Sequence, residues 1–301
     1  MLVTVLLAAI ALCLGLLWRS HQQQEAAATP VPAAATPQAV TLDPDFSGLV
    51  ACFLDVGQGD CLFFRGPEGQ TMLIDAGPVG SFSAIRKQLE AWQVERLDVV
   101  IATHLHADHI GSMSEILDHF PVDAFYMPPY EYESSNYADL LAMCEKTGVT
   151  PQTLYADANV FIPWASGCEV RVLSPFNAPY TDYNDTSFIL SVRYGDTAVL
   201  CTGDAGELAE RFMVKAFPNA LLRANILKVA HHGSASATSE KLLNAVQPSI
   251  AVISVGAGNS YGLPDEAVLQ RLLSRHITIF RTDLDGTLCF ALDGTEVKVL
   301  E

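Results

Sequence analysis

Several apolar segments of this sequence end in a side chain that can bind a metal or orient a ligand. Asp75 follows TMLI, His104 follows VVIAT, Asp204 follows AVLCTG, and the pair His231 and His232 follows ILKVA. Short apolar runs of this kind are typical of buried strands, and ligands collect at the carboxyl ends of strands in α/β sheets. Hairpins and helical segments alternate with these strands. The pattern predicts an α/β fold in which two mixed sheets pack together with helices outside.

The segment ATHLHADHIGS places three imidazoles and one carboxylate within six residues. His104 and His106 are two positions apart, so they share one face of an extended segment. Asp108 and His109 are neighbours at a predicted helix start and point to different sides. The segment therefore predicts ligands for two metal ions, with a His-rich solvated loop as the alternative. Imidazole combined with carboxylate suits Zn²⁺, and also Mn²⁺ or iron.

Asp204 and the His231–His232 pair are further candidates for the same site. Asp204 follows Gly203 at a predicted strand end, where its carboxylate can bridge two metals. It can equally cap a helix that begins at Ala205. Two adjacent buried imidazoles without a partner charge would be costly, which favours metal ligation over a core role for the pair.

The first 48 residues differ in composition from the rest of the chain. Residues 2–18 contain no charged residue, which fits a short membrane anchor or the apolar part of a signal peptide. Residues 19–48 consist largely of Gln, Ala, Thr and Pro, which bury too little apolar surface to fold alone. We expect an anchor or signal segment at 1–18, a disordered tether at 19–48 and one domain at 49–301. This organisation predicts a protein outside the cytoplasm, membrane-anchored or secreted.

The charge of the predicted domain limits its partners. The whole chain has a formal net charge of −17, and residues 49–301 hold 16 Lys and Arg against 31 Asp and Glu, a net charge of −15. A domain this acidic does not attract nucleic acid through its overall field. Nucleic acid is therefore a disfavoured partner, although a local basic groove or a metal pair could still bind it. The sequence leaves the oligomeric state open.

The seven cysteines include no CxxC pair. Cys52 and Cys61 flank a predicted hairpin and could form a disulfide bond. The alternative is that they are small buried apolar residues.

Eight segments occur in the order found in the metallo-β-lactamase superfamily: FLDVGQGD, LIDAG, ATHLHADHIGS, NDTSFIL, TGD, KVAHHGS, SVGAGNSYG and RTDLDGT. More narrowly, residues 49–292 resemble the C-terminal hydrolase-like domain of ComEC competence proteins and its free-standing relatives. The resemblance implies an αββα sandwich, with one or two metal ions in the cleft between the sheets. It also implies a hydrolytic activity.

The resemblance assigns metal ligation and catalysis to particular residues. The implied ligands are His104 and His106 for one ion, Asp108, His109 and His232 for the other, and Asp204 between them. Superfamily relatives ligate through the histidine directly before glycine, so His231 is expected beside the substrate. His231 and Asp108 are the expected catalytic residues. Asp75 is expected to orient the ligating side chains.

One segment departs from the family's pattern near the first metal. Many relatives have a further histidine before Asp204, but no histidine occurs from residue 120 to residue 230. The corresponding stretch contains Asn184, Asp185 and Ser187. Asn184 is the expected substitute ligand, Asp185 is its rival, and Ser187 is expected near the site. The alternative is that Asn and Asp form an ordinary turn before the strand.

A second departure lies near the expected substrate position. The family's NxYGHP becomes Asn259-Ser-Tyr261-Gly-Leu263-Pro264. A histidine expected to contact substrate is therefore missing. Asn259 and Tyr261 remain as expected substrate neighbours.

Together the residues and the resemblance predict a metal-dependent hydrolase, with phosphodiester cleavage by metal-activated water as the leading reaction. The expected substrate is a small or polymeric phosphodiester, and the expected cofactor is one or two Zn²⁺ ions, with Mn²⁺ or iron as alternatives. A lactone or amide hydrolase is an alternative reaction. A non-catalytic metal-binding domain linked to DNA uptake is an alternative of another class. The expected membrane partner acts through the N-terminal segment.

Overall fold

The computed structural model describes residues 40–300. The predicted anchor or signal segment at 1–18 and the tether up to residue 39 lie outside these residues. No helix within residues 40–300 combines the length and the apolar character needed to cross a membrane.

The described chain alternates short strands and helices. The strands are β1 Leu49–Phe53, β2 Leu62–Arg65, β3 Thr71–Ile74, β4 Leu97–Ile101, β5 Val122–Met127, β6 Pro151–Thr153, β7 Cys168–Ser174, β8 Ile189–Tyr194, β9 Thr197–Cys201, β10 Ile226–Lys228, β11 Ile250–Ile253, β12 Thr278–Arg281, β13 Leu288–Leu292 and β14 Val297–Leu300. The α-helices are α1 Phe82–Ala91, α2 Ala107–Ile110, α3 Met113–His119, α4 Ser135–Thr147, α5 Glu207–Ala216, α6 Asn219–Leu222, α7 Glu240–Val246, α8 Glu266–Leu273 and α9 Thr282–Asp285.

The strands form two mixed sheets. The first sheet has eight strands in the order β14-β13-β1-β2-β3-β4-β5-β6, and the second has six in the order β12-β11-β10-β9-β8-β7. In the first sheet β3 to β6 run parallel, and in the second β9 to β12 run parallel. The remaining pairs are antiparallel hairpins or closures. The predicted pair of mixed sheets is confirmed.

Side chains point alternately to the two faces of these buried strands and so divide the core into layers. In β1, Phe53 joins a cluster that includes Val199 and Val252 of the second sheet, so this cluster fills the space between the sheets. Cys52, one residue earlier, points to the opposite face. It joins a cluster that contains Leu89 of α1. The apolar side chains of α5, α7 and α8 cover the outer face of the second sheet. The layers are helix, sheet, sheet and helix, as the resemblance implies.

Packed chain begins before the expected domain boundary at residue 49. Leu42 is buried in the helix-side core of the first sheet. The indole N–H of Trp92 donates a hydrogen bond to the Val40 carbonyl at 2.8 Å, and the Arg65 guanidinium donates to the Asp43 carbonyl. Residues 40–48 therefore pack against the domain, because Leu42 is buried in its core and Val40 and Phe46 pack beside it.

Cys52 does not pair with Cys61, which was one of the two alternatives left open by the sequence. Cys52 is bonded to Cys289, its directly opposite neighbour on the antiparallel strands β1 and β13. Cys61 is a buried free thiol. β1 lies between β2 and β13 in the sheet. On β2 the residue opposite Cys52 is Phe63, so Cys61 is out of register and Cys289 on β13 is the available partner.

We expect a chain that begins at Val40 to be more stable than one that begins at Leu49, because the shorter chain loses the burial of Leu42 and the Trp92 hydrogen bond. Leu42→Ala in the longer chain should lower the free energy of unfolding by about 2 kcal/mol. Thermal unfolding followed by circular dichroism measures both effects. Leu141→Ala, at an exposed leucine, is the control and should change little. Equal melting temperatures for the two chains would contradict the revised boundary.

Candidate metal centre

The carboxyl ends of parallel strands from both sheets meet at one place. β3 and β4 deliver Asp75 and the histidine-rich segment from the first sheet, and β9 and β10 deliver Asp204 and the HHG turn from the second. The Phe188 N–H donates to the Thr103 carbonyl at 2.8 Å and joins the two edges. Gly203 has a φ of +50°, and a Cβ atom there would lie 2.9 Å from the Thr103 hydroxyl. A glycine is required where these edges approach.

Four predicted ligands form one compact cluster. Asp108, His109, Asp204 and His232 offer ligand atoms that all lie within 4.8 Å of one another. His109 Nε2 lies 3.2 Å from Asp204 Oδ1, and His232 Nε2 lies 3.2 Å from Asp108 Oδ2. This is the grouping expected for one ion.

The other two predicted ligands converge beside this cluster. His104 Nε2 lies 3.0 Å from His106 Nδ1 and 4.0 Å from Asp204 Oδ2. The same Asp204 oxygen lies 3.7 Å from His232 Nε2. Asp204 therefore lies between the two groups of imidazoles, where a carboxylate can bridge two ions. It does not cap the following helix, because α5 begins at Glu207 with Gly206 at its N-cap position.

Hydrogen bonds orient the imidazoles toward the cluster. Asp75 Oδ2 lies 2.7 Å from His109 Nδ1 and accepts a bond of 2.7 Å from the Thr103 hydroxyl. A proton on Nδ1 that is donated to Asp75 leaves His109 Nε2 free for a metal. In the same way His232 Nδ1 faces the Ser254 carbonyl at 2.9 Å, which leaves its Nε2 for the cluster. Asp75 thus lies where the resemblance implied, behind a ligand.

The charges of the cluster favour a cation. Burial opposes the charged form of His109, but the Asp204 and Asp75 carboxylates outweigh it and raise the pKa of this imidazole well above its usual value. His232 responds in the same direction, to a pKa of about 9, because Asp204 and Asp108 outweigh its burial. Burial and the neighbouring His109 hold the pKa of His104 well below its usual value.

The donor set fits a transition metal. His109 Nε2 and Asp204 Oδ1 are buried and have no hydrogen-bond partner within residues 40–300, although most buried polar atoms do. Nitrogen and carboxylate oxygen donors at this density match the ligands that proteins use for zinc, and also for iron or manganese. The two orphaned atoms lie 3.2 Å apart, close enough to serve as neighbouring ligands of one ion.

The HHG turn separates the roles of its two histidines. Both have left-handed backbone angles, with φ of 50° at His231 and 52° at His232, a conformation that is costly for residues other than glycine. His232 is buried and faces the cluster, whereas the His231 side chain is 31% exposed and its Nε2 lies 3.8 Å from Asp204 Oδ2. His232 therefore joins the cluster, whereas His231 lies beside it with access to solvent.

In the segment 184–187 the three candidate side chains differ in their hydrogen bonding. Asn184 Oδ1 is a buried atom without a hydrogen-bond partner in the described chain, as is Ser187 Oγ. Asp185 Oδ1 instead accepts a bond of 3.1 Å from the Ala209 N–H in the first turn of α5. As a rival ligand Asp185 is therefore corrected: its carboxylate caps a helix, where the free N–H groups favour an anion.

The loop after β11 separates its two candidates as well. Both polar groups of the Asn259 side chain serve the loop itself: its nitrogen donates to the Gly256 and Leu263 carbonyls, and its oxygen accepts from the Tyr261 and Leu263 N–H groups. Asn259 therefore shapes the loop and has no free group for substrate, contrary to expectation. Tyr261 is 73% exposed and free to contact a ligand.

Two buried charged residues at the centre were missed from the sequence. Asp60 and Lys228 form an ion pair in which both side chains are 1% exposed. Asp60 ends the motif FLDVGQGD, and Lys228 stands three residues before the histidine pair. A lysine inside an apolar strand was the available signal, since buried lysines almost always have a charged partner.

An aromatic wall, defined here as Tyr132 and Tyr183, was also missed. The ring centroids of Tyr132 and Tyr183 lie 4.9 and 5.2 Å from that of His106 and 4.5 Å from each other. Tyr132 comes from the loop before α4 and Tyr183 from the turn before β8. Because these segments are far apart in the chain, no sequence pattern joins them.

Comparison with known proteins agrees with this architecture. A family model described as "Metallo-beta-lactamase superfamily" matches residues 54–257. ComE operon protein 3 of Bacillus subtilis is 31% identical over 78% of this chain and 32% of its own length. Competence protein ComA of Neisseria gonorrhoeae is 31% identical over 81% of this chain and 32% of its own length. The chain thus spans about a third of these relatives.

A solved structure shares the fold. The metallo-beta-lactamase fold protein YhfI of Bacillus subtilis matches 80% of this chain and 99% of its own, with a TM-score of 0.53 and 10% sequence identity. At this identity the likeness concerns the fold alone.

We expect one Zn²⁺ ion to bind tightly and a second one loosely, because the amide oxygen of Asn184 is a weaker zinc ligand than an imidazole nitrogen. Titration at limiting Zn²⁺ against a chromophoric chelator measures the stoichiometry. Asn184→His should raise the affinity for the second ion.

The matched control for this titration is Asp185→Ala. It should lower the free energy of unfolding by about 1 kcal/mol through loss of the helix cap and leave zinc binding unchanged. Two equally tight ions in the unmodified protein, unaffected by Asn184→Ala, would remove Asn184 from the site.

Proposed function

Because the chain belongs to the metallo-beta-lactamase superfamily, whose fold is of a hydrolase type, we propose that it is a metal-dependent hydrolase that cleaves phosphodiesters. The observation that carries the proposal is the position of Asp204 between two groups of imidazoles. A pair of divalent ions held on both sides of one carboxylate suits a displacement at phosphorus, where charge develops on several oxygens.

The six ligands proposed for the metal are His104, His106, Asp108, His109, Asp204 and His232. When bound, Zn²⁺, Mn²⁺ or iron would supply an acidified water near neutral pH and stabilise negative charge on the phosphoryl oxygens. We propose Zn²⁺ as the cofactor, because imidazole nitrogens outnumber carboxylates in the set.

The remaining residues move protons and hold geometry. Hydrolysis forms a bond between the water oxygen and phosphorus, releases one proton of that water to solvent, and breaks the bond to the leaving alcohol, which takes a proton. His231 is proposed to supply that proton, because its imidazole is partly exposed next to Asp204. Asp108 is proposed to orient the attacking water, since its side chain is 35% exposed while one oxygen contacts His232. Asp75 and Thr103 hold His109 in place.

A small phosphodiester is the proposed substrate class. The net charge of −15 on residues 49–301 disfavours a long polyanion through its overall field. The names of the relatives, which refer to competence, make nucleic acid the polymeric substrate to test beside it. A phosphodiester bound at the centre would lie next to the aromatic wall and Tyr261.

The proposed location is outside the cytoplasm. The Cys52–Cys289 disulfide supports it, because structural disulfides persist mainly in oxidising compartments. Residues 1–18 are proposed as the anchor or signal that places the domain there, and a membrane is then the partner of that segment.

One observation favours a second function. No histidine occurs from residue 120 to residue 230, where the family resemblance implies a further imidazole, so the His104–His106 half of the site has fewer nitrogen donors. A domain that binds metal without turnover is therefore the second candidate. Turnover distinguishes the two.

Hydrolysis of bis(p-nitrophenyl) phosphate should be lost after dialysis against a chelator and return when Zn²⁺ is added. Asp108→Ala should lower kcat for this substrate by about 100-fold or more, because it removes a ligand. His231→Gln should lower kcat by about 100-fold for the DNA substrates, whose leaving alcohol needs a proton, and much less for bis(p-nitrophenyl) phosphate, because p-nitrophenolate leaves without one. The rate is followed by p-nitrophenolate absorbance, with short single- and double-stranded DNA as parallel substrates. Asp118→Ala, at an exposed acid paired with Lys146, is the control and should keep full activity. Unchanged hydrolysis by metal-free protein would rule out the mechanism.

A prediction about location follows from the disulfide. Mass spectrometry of unreduced protein from its native compartment should find Cys52 linked to Cys289, and fractionation should place the chain in membranes or outside the cytoplasm. Cys61 should react with a thiol reagent only after unfolding, because it is buried. A fully reduced protein confined to the cytosol would contradict the proposed location.

A further inference from the structure

The strongest unexplained feature of this centre is a buried lysine. Lys228 ends β10, is 0% exposed and places its ammonium against Asp60 Oδ2. Burying two charges costs free energy unless their geometry and further hydrogen bonds compensate. Such a pair calls for an explanation beyond stability, since apolar residues of similar volume are often as stable.

Asp60 contacts three of the four residues of the compact cluster. Its N–H donates to the Asp108 carbonyl at 3.2 Å. Its Oδ1 lies 3.4 Å from His232 Nδ1, and its Oδ2 lies 3.9 Å from His109 Nδ1. The Asp60 carboxylate therefore lies near Nδ1 of both imidazoles, whereas their Nε2 atoms face the cluster.

Lys228 connects the same position to the fourth residue. Its ammonium donates to the Gly203 carbonyl at 3.4 Å, directly before Asp204. Its own carbonyl accepts a bond of 2.6 Å from the Thr202 hydroxyl. The Gly203 carbonyl also accepts from the His231 N–H at 3.1 Å, so the turns that carry Asp204 and His232 are joined here.

The ammonium also occupies a corner where a cation would otherwise be attracted. Asp60, Asp75 and His109 present ligand atoms within 4.8 Å of one another. The Nδ1 atoms of His109 and His232 face Asp75 and the Ser254 carbonyl at shorter distances, so Asp60 acts on these rings as a nearby carboxylate. Lys228 supplies fixed positive charge to Asp60, so this carboxylate needs no metal of its own. The ion pair thus has two effects. Asp60 influences the positions of the neighbouring ligands, and Lys228 keeps a metal ion from binding at Asp60 and Asp75.

We propose that Asp60 and Lys228 are positioning residues for the ion held by Asp108, His109, Asp204 and His232. The proposal rests on the proposed function only in assuming that this cluster binds metal. Within residues 40–300, the ion pairs and hydrogen bonds of Asp60 and Lys228 do not include His104 or His106. The effect should therefore be larger on the tightly bound ion than on the second ion, which shares only Asp204 with this cluster.

The pair is neutral as a whole, which separates positioning from charge. Asp60→Asn or Lys228→Met alone leaves a buried charge without its partner and should lower the melting temperature. The double variant removes both charges with little change in volume, so most of the melting temperature should return. The net charge around the cluster also stays the same, while Asp60 no longer presents a carboxylate to His232 and His109.

The test measures melting temperature and Zn²⁺ affinity of the full chain, together with the visible absorption of its Co²⁺ form, which reports ligand geometry. In the double variant we expect the tight ion to bind about 10 to 100 times more weakly, with an altered Co²⁺ spectrum and a near-normal melting temperature. Asp118→Asn with Lys146→Met, the same exchange in an exposed ion pair, is the control and should change neither affinity nor spectrum. Wild-type Zn²⁺ affinity in the folded double variant would show that the pair has only a structural role.

If the double variant does not fold, Asp60→Glu takes its place. This change keeps the charge against Lys228 but moves the carboxylate by one methylene. A weakened tight ion with a changed Co²⁺ spectrum supports the proposal, and unchanged values overturn it. Because these readouts need no substrate, a protein that binds Zn²⁺ but hydrolyses nothing would end the proposed function and leave this inference standing.

Discussion

The centre of this protein depends on the need of buried carboxylates for positive charge. Asp60, Asp75 and Asp204 are all at most 2% exposed, and isolated ionised carboxylates in such surroundings are costly. In the structure each of these carboxylates has a cationic or imidazole neighbour. Asp60 contacts an ammonium, Asp75 contacts His109, and Asp204 lies among imidazoles that a metal would join. A cation bound at this centre would therefore stabilise the fold by neutralising Asp204.

The double-sheet fold is what allows these charges to meet. Parallel strands bring their carboxyl ends to one edge of a sheet, and packing two such sheets face to face brings two edges together. The apolar cluster between the sheets fixes that distance, while Gly203 permits the close approach. The ligands themselves then lie on short turns after rigid strands, where their positions are well determined and substrate can still enter.

The two halves of the centre differ in how they are supported. His109 and His232 have hydrogen-bond partners behind the ring, in Asp75 and the Ser254 carbonyl, and an ion pair behind both. His106 instead lies against the aromatic wall. An imidazole that donates a hydrogen bond to a carboxylate or carbonyl becomes a more basic ligand, whereas packing against rings only restricts its motion. This asymmetry is the physical reason to expect one tight and one loose ion.

Local features of the sequence were sufficient to predict much of this structure. Strand periodicity and the residues that follow each strand predicted the two mixed sheets, and the spacing of His104, His106, Asp108 and His109 predicted the grouping now seen. The choice of His232 over His231 came from family resemblance, and its burial agrees. Such features can be predicted from sequence because the relative directions of side chains two to five residues apart are set by local backbone conformation.

The tertiary structure decided everything that depends on pairing between distant segments. Cys52 faces Cys289 because β1 pairs with β13, and Leu42 belongs to the domain because Trp92 and its neighbours form a place for it. The sequence left Asp185 as a possible metal ligand, but in the structure its carboxylate accepts a hydrogen bond from the first turn of α5. In the same way, the burial of Asp60 and of Lys228 is explained only by the ion pair between them. Composition and spacing specify which side chains leave a strand, but which partner they meet is set by sheet order and packing.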